Sequence, residues 1–328
     1  MYAVGIDLGG TSIKGALVHQ EEGLIADMSR PTEASMGPRH VLDRMANIVS
    51  DLKQKVPKNE RLLGIGVGSP GAINLERTTV SDPPNLHGWD VVHMRDELQT
   101  RLETDLPVIV ENDANVAGLG SAHYGAGIKF DSFIMVTLGT GVGGSIIYNN
   151  RIFRGATGGA GEIGHMTIDY EGPLARSGVH GAIEAYLGQR FLSRHARFQL
   201  LNEHDSVVHE RAGEDLKGIT PRMLHEAAMD GDEPARRVLK WAGHKLGCVL
   251  ASAVNLLDIR KIVVGGGISN AGNYILKPAR TTLVRYVVPG LRDGLEIVRE
   301  TSGNDVAMLG AAHLLFAVEA PVSTPASS

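Results

Sequence analysis

The chain has 328 residues, with 41 glycines, one cysteine and a formal net charge of −5. A chain of this length suggests about two domains, and it can bury a core without disulfides or a structural metal. The single cysteine, Cys248, excludes an internal disulfide and a cysteine-rich zinc site. The slightly acidic balance argues against a general nucleic-acid-binding protein, which would carry a basic face.

The termini and the hydropathy of the chain indicate a cytoplasmic protein. No segment approaches the roughly 20 continuous apolar residues of a membrane helix. The N-terminus lacks the basic and apolar regions of a signal peptide, so we expect neither secretion nor membrane attachment. Residues 320–328 are small, polar or proline, and we expect them to form a loose tail.

The first part of the chain is predicted to begin with three consecutive strands. Alternating apolar residues predict the strands, and apolar residues at helical spacing predict the helices. The predicted elements are strands 2–8, 12–19 and 24–29, helix 38–55, strand 62–68, helix 91–102, strand 107–110 and a helix from 113 to about 123.

The second part of the chain repeats this pattern, which indicates a pseudo-duplication of two α/β halves. A cleft between two such halves is the usual place for a ligand. We expect a smaller N-terminal domain of residues 1–116 plus about 306–319, and a larger domain of 117–305. The predicted elements are strands 132–138, 144–148 and 151–154, helices 182–195, 220–230 and 233–257, strand 261–264, helix 272–287, strand 294–299 and helix 306–317.

A glycine-rich loop joins the first two strands. Gly9 and Gly10 let backbone N–H groups approach an anion, and Thr11 adds a hydroxyl donor. Lys14 adds positive charge, and Asp7 could hold Mg²⁺ directly or through water. Taken alone, the loop could equally be a plain Gly-Gly hairpin turn with an exposed lysine.

A second loop of this kind opens the other half. The segment from Thr137 to Gly144 contains Gly139, Thr140, Gly141 and Gly143. So many glycines are hard to explain as a turn, because each costs up to roughly 1 kcal/mol in regular structure. Two such loops at equivalent places predict a polyphosphate bound from both sides. Neither loop has Walker A spacing, and the glycines join two strands, unlike those of a Rossmann fingerprint.

A third glycine-rich segment follows the strand at 261–264 and precedes a helix. It consists of Gly265, Gly266 and Gly267. It suits the base or ribose of a nucleotide, or it is simply a tight strand-to-helix turn.

Candidate acid and base residues lie in two further segments. Asp113 stands where a strand ends and a helix begins, so it is either a helix N-cap or a general base that accepts a proton from a substrate hydroxyl. Glu111 is expected to belong to the strand or to support the site from behind. Glu162 and His165 would share one face of a helical turn. Seen alone, His165 is better interpreted as an ordinary core histidine with satisfied hydrogen bonds.

Four motifs together resemble the ROK family of sugar kinases, within the wider actin–Hsp70–hexokinase ATPase group. They are DLGGTSIK at 7–14, ENDAN at 111–115, LGTGVGG at 138–144 with GGAGEIGH at 158–165, and GAIEAY at 181–186. The resemblance implies an α/β, two-domain actin-like or hexokinase-like ATPase fold (ribonuclease H-like) with a cleft between the domains. Within the family, the chain is most similar to bacterial ATP-dependent glucokinases.

The resemblance also implies residue roles. Asp113 matches the catalytic base, and Gly71 matches a backbone contact to the sugar. The loops at 9–11 and 139–144 match the phosphate binders, and the loop at 265–267 matches the adenosine site. The side chains that match hydrogen-bonding partners of the sugar hydroxyls are Asn112, Glu162, His165 and Glu184.

The chain departs from the family at a C-x-C-G-x-x-G-C-x-E zinc motif. Its three cysteine positions hold Ala175, Ser177 and Ala182, although the two glycines and Glu184 stay in register. Structural zinc takes about four ligands, and His165 alone cannot hold it, so we expect no zinc and a loop fixed by packing and hydrogen bonds. A substitute zinc site would match no familiar spacing; its residues would be His165, Asp169, Glu171 and His180.

These observations predict a kinase that uses ATP and Mg²⁺ to phosphorylate a hexose, with the 6-hydroxyl of glucose as the first candidate. Alternative substrates are N-acetylmannosamine, N-acetylglucosamine, fructose and allose. A ROK-type transcriptional regulator is a further alternative, disfavoured because the first strand begins at residue 2 and the phosphate loops are retained. The family resemblance also implies a homo-oligomer, a dimer or tetramer, with no nucleic-acid partner.

Overall fold

The computed structural model describes residues 1–86 and 88–319. The chain divides into two compact units, of which the first contains Met1–Ile128, Asn150–Ala160 and the segment from Asn304 onward. The second contains Lys129–Asn149 and Gly161–Gly303. The domains expected from the sequence, with a boundary after 116, stay a prediction. The tail predicted at 320–328 lies outside the described residues.

The helices and strands follow one another as the sequence pattern predicts, with small shifts at their ends. The elements up to residue 124 are β1 (Tyr2–Leu8), β2 (Ser12–His19), β3 (Gly23–Pro31), α1 (Pro38–Lys53), β4 (Leu62–Ser69), β5 (Ala72–Ile73), β6 (Val80–Ser81), β7 (Val91–Val92), α2 (Met94–Leu102), β8 (Val108–Asn112) and α3 (Asp113–Tyr124). The remaining elements are β9 (Phe133–Leu138), β10 (Val142–Tyr148), β11 (Arg151–Ile152), α4 (Glu184–Leu187), α5 (Gln189–Leu200), α6 (Val208–Ala212), α7 (Pro221–Met229), α8 (Glu233–Leu257), β12 (Lys261–Gly265), α9 (Asn273–Tyr286), β13 (Glu296–Arg299) and α10 (Val306–Glu319).

The main sheet of the first unit has the strand order β3-β2-β1-β4-β8. Strand β1 is antiparallel to β2, whereas β1, β4 and β8 run parallel. Asp7 pairs with Gly68 on β4, and Gly68 pairs with Glu111 on β8. The carboxyl ends of the three parallel strands therefore bring the first phosphate loop and the ENDAN motif to one edge of the sheet.

Both faces of this sheet are covered, which explains why β1 is an almost continuous apolar run. Helix α1 covers one face through a stripe that includes Val41, Met45 and Ile48. Helices α3 and α10 contribute to a separate core that includes Val116 and Leu315. The sheet is thereby held between layers of helices.

The sequence did not predict the short strands β5, β6 and β7, which form a separate three-stranded sheet. Residues 91 and 92 are strand β7, so the helix predicted from 91 begins only at Met94. Each of these strands has two residues, which is too short for an alternating pattern to be recognised. Helix α6 is likewise short and was not predicted.

The second unit repeats the arrangement of the first. The order β10-β9-β12-β13 corresponds to β2-β1-β4-β8, with β10 antiparallel to β9 and with β9, β12 and β13 parallel. The predicted pseudo-duplication is therefore confirmed in the strand order. The helix predicted at 182–195 is instead two helices, α4 and α5, because the backbone is extended at Gly188.

Two histidines pack together where α3 meets α10. The rings of His123 and His313 stack with centroids 3.6 Å apart, and the hydroxyl of Tyr124 lies 3.1 Å from Nδ1 of His313. Burial, with a smaller contribution from His123, lowers the pKa of His313 from its ordinary value of 6.5 to about 3. Burial also lowers the pKa of His123. Both rings are therefore neutral at neutral pH.

Because the folded protein keeps His313 neutral, unfolding takes up a proton below pH 6.5. We expect His313 to reduce the free energy of unfolding by up to about 1.4 kcal/mol for each pH unit between 6.5 and about 3. The variant His313→Phe keeps an aromatic ring but cannot titrate, so its stability should fall less steeply with acidification. Chemical denaturation of both proteins between pH 7 and pH 4 measures this difference. Equal slopes would contradict the assignment.

Within the described ranges, none of the helices combines the length and the apolar character that a membrane crossing requires.

Candidate active site

The first phosphate loop is tightly tied to the strands around it. Gly9 N donates to the carbonyl of Ser12 at 3.0 Å, and the hydroxyl of Thr32 donates to the carbonyl of Gly9 at 2.6 Å. A Cβ at Gly9 would lie 2.9 Å from the Ser12 carbonyl oxygen, and one at Gly10 would lie 3.1 Å from Cβ of Asn85. A side chain at Gly9 would thus meet backbone and one at Gly10 would meet the Asn85 side chain, which favours glycine at both positions.

Asp7, near the end of β1, is half-buried close to a second carboxylate. The pKa of Asp7 is raised from 3.8 to about 7, chiefly by burial and further by the charge of Asp113, and Lys14 partly offsets this rise. A carboxylate whose charge is disfavoured by a neighbouring carboxylate is a fitting place for a divalent cation. Mg²⁺ commonly uses one or two carboxylates together with substrate phosphates.

The N-cap of α3 is Asn112 rather than Asp113. Oδ1 of Asn112 accepts hydrogen bonds from Ala114 N at 2.9 Å and Asn115 N at 3.3 Å. The interpretation of Asp113 as the N-cap is therefore wrong. Asp113 is the first residue of the helix, where its Oδ1 accepts from Ala114 N at 2.8 Å. The side-chain amide nitrogen of Asn112 (Nδ2) takes no part in this cap.

Glu111 lies in β8, as expected, and is completely buried. Its Oε2 lies 3.0 Å from Nε of Arg154 and 3.3 Å from Nη2 of Arg77. Burial and the charge of Arg154 lower the pKa of Arg77, while Glu111 raises it. Sequence reasoning missed both arginines, since nothing in the spacing of the chain links them to the ENDAN motif.

The predicted sugar contact at Gly71 depends on a backbone conformation that only glycine adopts easily. Gly71 has a φ of 99°, and a Cβ there would lie 2.6 Å from the carbonyl oxygen of Ser81. The turn after β4 therefore packs closely on β6. This packing leaves no room for a side chain at position 71.

The second and third glycine loops are neighbours in the second unit. Gly266 has a φ of 80°, and a Cβ there would lie 2.3 Å from the carbonyl oxygen of Leu138, where β9 ends. The structure thus brings the predicted phosphate loop next to the predicted adenosine loop. A Cβ at Gly139 would meet nothing within 4 Å, so one side of this loop is open.

Glu184, predicted to contact the sugar, lies against the second loop. Its Oε2 accepts a hydrogen bond from Val142 N at 3.2 Å, and a Cβ at Gly141 would lie 2.4 Å from the same oxygen. Gln189 N, at the start of α5, donates to the carbonyl of Gly139 at 3.0 Å. Helices α4 and α5 therefore hold the shape of this loop.

Glu162 and His165 share one side of a short 3₁₀ turn, as their spacing predicts. Oε2 of Glu162 lies 3.6 Å from Nε2 of His165. The His165 side chain is 38% exposed, and its buried Nδ1 has no hydrogen-bond partner among the described residues. The interpretation of His165 as a core histidine with satisfied hydrogen bonds is therefore wrong.

The segment that carries the zinc motif elsewhere in the family forms a hairpin here. Thr167 pairs with Ala182, and Leu174 pairs with His180. The hydroxyl of Thr167 also donates to the carbonyl of His180 at 2.9 Å. The hairpin is closed by hydrogen bonds between its two arms.

Packing completes the hairpin at two of the former cysteine positions. The side chains of Ala175 and Ala182 are buried in the core of the second unit. The hydroxyl of Tyr186, in α4, donates to Oδ2 of Asp169 at 3.2 Å. Among the described residues, no group of three or more His, Cys, Asp or Glu side chains could hold a metal ion. The four residues considered for a substitute zinc site do not form such a group, and the expectation that no zinc binds stays a prediction.

Comparison with known proteins agrees with these motifs. A model of the ROK family matches residues 3–317. The chain belongs to the ROK family. A glucokinase of Halalkalibacterium halodurans is 34% identical over 315 residues, which are 95% of this chain and 94% of the relative. A ROK family glucokinase of Streptomyces griseus, solved in complex with glucose and AMPPNP, has a TM-score of 0.82 at 30% identity, over 96% of this chain and 99% of that one. This likeness confirms the predicted actin-like or hexokinase-like ATPase fold.

Proteins named as repressors also match the chain. A xylose repressor of Bacillus subtilis is 26% identical over 316 residues, which are 96% of this chain but 77% of the repressor. The repressor is less similar to this chain than the glucokinase from Halalkalibacterium halodurans is. The repressor also contains residues beyond the part that matches this chain.

Two glycines of the hairpin provide a matched test of how this segment is held. Both Gly178 and Gly181 have a positive φ, of 83° and 62°, but only a Cβ at Gly181 would clash, 1.5 Å from the carbonyl oxygen of Asp169. We expect Gly178→Ala to cost about 1 kcal/mol from backbone strain alone. Gly181→Ala should cost at least about 1 kcal/mol more because of the clash. Urea denaturation of both variants measures the difference, and equal costs would contradict this packing.

Proposed function

We propose that the protein is an ATP-dependent glucokinase that transfers the γ-phosphoryl group of ATP to the 6-hydroxyl of glucose. The observation that carries the proposal is the likeness, over nearly the whole chain, to a glucokinase solved with glucose and AMPPNP. The placement of Asp113 at the end of β8, beside the loop that follows β1, supports the same function.

In the proposed reaction, Asp113 is the general base. The 6-hydroxyl oxygen attacks the γ-phosphorus, the bond from that phosphorus to the β-γ bridging oxygen breaks, and ADP leaves. The hydroxyl proton passes to the carboxylate of Asp113. We propose that Gly71, Asn112, Glu162, His165 and Glu184 orient the sugar hydroxyls.

The glycine loops are proposed to bind the nucleotide. Backbone N–H groups of residues 9–11 and 139–143 would donate to phosphate oxygens, with Lys14 adding charge, and residues 265–267 would lie against the adenosine. Asp7 is the residue proposed to hold Mg²⁺, directly or through water. When bound, Mg²⁺ neutralises charge on the phosphates. The fit of Mg²⁺ at Asp7 is supported by the nearby carboxylate of Asp113, whose charge raises the pKa of Asp7.

Replacement of the base tests this assignment. Asp113→Asn keeps the size of the side chain but removes the proton acceptor, so turnover should fall at least about a hundredfold while glucose binding largely survives. A coupled assay for ADP and calorimetry with glucose measure the two properties. The control is Asp232→Asn, which changes an aspartate that caps α8. Near-normal turnover in Asp113→Asn would contradict the assignment of the base.

A screen of hexoses by ADP release tests the substrate. Glucose should be phosphorylated more efficiently than fructose, allose, N-acetylmannosamine and N-acetylglucosamine. Turnover with another hexose and none with glucose would overturn the glucokinase assignment. No turnover with any hexose, together with specific operator binding at physiological salt, would favour a regulator.

Removal of metal tests the cofactor. EDTA should stop the reaction, and Mg²⁺ alone should restore it, because the hairpin at 166–183 is closed by protein contacts. A requirement for zinc would contradict this account.

Two further properties stay predictions. The family resemblance predicts a homo-oligomer, a dimer or tetramer, which light scattering measures. The cytoplasm stays the predicted compartment.

A further inference from the structure

A buried ion cluster lies behind the proposed base. Glu111 is 0% exposed, and its carboxylate faces the guanidinium groups of Arg154 and Arg77. Removal of a charged group from water costs several kcal/mol unless partners replace the water. The carboxylate of Glu111 attracts both guanidinium groups, which repel each other. Loss of Glu111 would leave two like charges together, and loss of Arg154 would leave the buried carboxylate with only Arg77 of this pair.

The other carboxylate oxygen of Glu111 accepts hydrogen bonds from residues on both sides of Asp113 in the chain. Oε1 accepts from Asn112 N at 2.9 Å, one residue before Asp113, and from Nδ2 of Asn115 at 3.0 Å, two residues after it. Asn115 is itself buried, with 2% of its surface exposed. A single carboxylate oxygen thus spans the junction between β8 and α3.

Arg154 connects this junction to a neighbouring turn. Its Nη1 donates to the carbonyl of Leu75 at 3.2 Å, and its Nη2 donates to the carbonyl of Asn74 at 3.2 Å. Its Nε lies 3.0 Å from Oε2 of Glu111, as an ion pair without hydrogen-bond geometry, so the guanidinium group contacts the carboxylate and two backbone carbonyls at once. Lysine could supply the charge but not this planar set of donors.

We propose that Glu111 and Arg154 are positioning residues, which hold the β8–α3 junction so that the carboxylate of Asp113 is aligned for catalysis. The part of this proposal that concerns turnover rests on the proposed function of Asp113. Misplacement of a reacting group by about 1 Å can reduce the rate by about a hundredfold. The cluster therefore affects catalysis without touching the substrate.

The test compares variants of the cluster with a matched arginine outside it. Arg95 ties the same turn to the same strand, because its Nε donates to the carbonyl of Val108 at 3.1 Å and its Nη2 to that of Glu76 at 3.3 Å. These hydrogen bonds are to backbone carbonyls and not to Glu111. Arg154→Met should lower kcat at least tenfold with KM for ATP changed less than about threefold. Arg95→Met should leave both within about twofold.

The pH dependence of kcat/KM separates positioning from a general loss of stability. The charge of Asp113 acts on Asp7 of β1, which Lys14 of β2 also influences, and the cluster lies behind the same junction. Glu111→Gln removes a negative charge and should move the acid limb to lower pH. Arg154→Met removes a positive charge and should move it to higher pH. Arg154→Lys keeps the charge, so its acid limb should match that of the wild type although kcat stays reduced.

Amide hydrogen exchange provides a measurement that needs no turnover. Residues 111–116 should exchange faster in Arg154→Met than in the wild type, and they should be unchanged in Arg95→Met. Exchange can be measured even if the protein phosphorylates no hexose. An absence of turnover would overturn the proposed function but not the positioning of the β8–α3 junction. Should Glu111→Gln fail to fold, the two Arg154 variants carry the test. Exchange and an acid limb in Arg154→Met that match those of Arg95→Met, or a wild-type kcat in Arg154→Lys, would overturn the positioning role.

Discussion

The parallel pairing of β1, β4 and β8 is the constraint on which the candidate site of the first unit depends. Its register places Asp7, Gly68 and Glu111 in one row across three strands. Because parallel strands end at the same edge of a sheet, three segments that are distant in the chain meet there. The effect of the Asp113 charge on the pKa of Asp7 follows from this alignment.

The glycine content of the chain follows from similar close approaches. At Gly71 and Gly266 the backbone has a positive φ and a side chain would collide with a neighbouring carbonyl. At Gly141 a side chain would collide with the carboxylate of Glu184. Close contacts with neighbouring residues thus fix the shape of these loops. Because the loop residues are glycines, no side chain covers their backbone N–H groups. This is the arrangement that phosphate binding requires.

Much of this organisation could be predicted from the sequence. Most strands and helices have strong periodicity, and the two glycine loops recur at equivalent places, so the duplicated strand order was expected. The family motifs identified the segments that carry the candidate residues. The two-residue strands β5 to β7 were missed, since so short a strand has no pattern of its own.

Other features depend on contacts that sequence spacing does not encode. Arg77 and Arg154 meet Glu111 only because separate turns pack behind β8. The assignment of the α3 cap to Asn112 depended on the direction of one side chain. The loss of the zinc cysteines was visible in the sequence. The hairpin at these positions depends on the pairing of its arms and on the burial of Ala175 and Ala182.

The central claim is that Asp113 deprotonates the 6-hydroxyl of glucose. A crystal structure of the protein with glucose and a non-hydrolysable ATP analogue tests it most directly. The account predicts a carboxylate oxygen of Asp113 within hydrogen-bond distance of the 6-hydroxyl, about 2.6–3.2 Å. A bound glucose whose 6-hydroxyl faces another side chain, with Asp113 turned away from every hydroxyl, would contradict it.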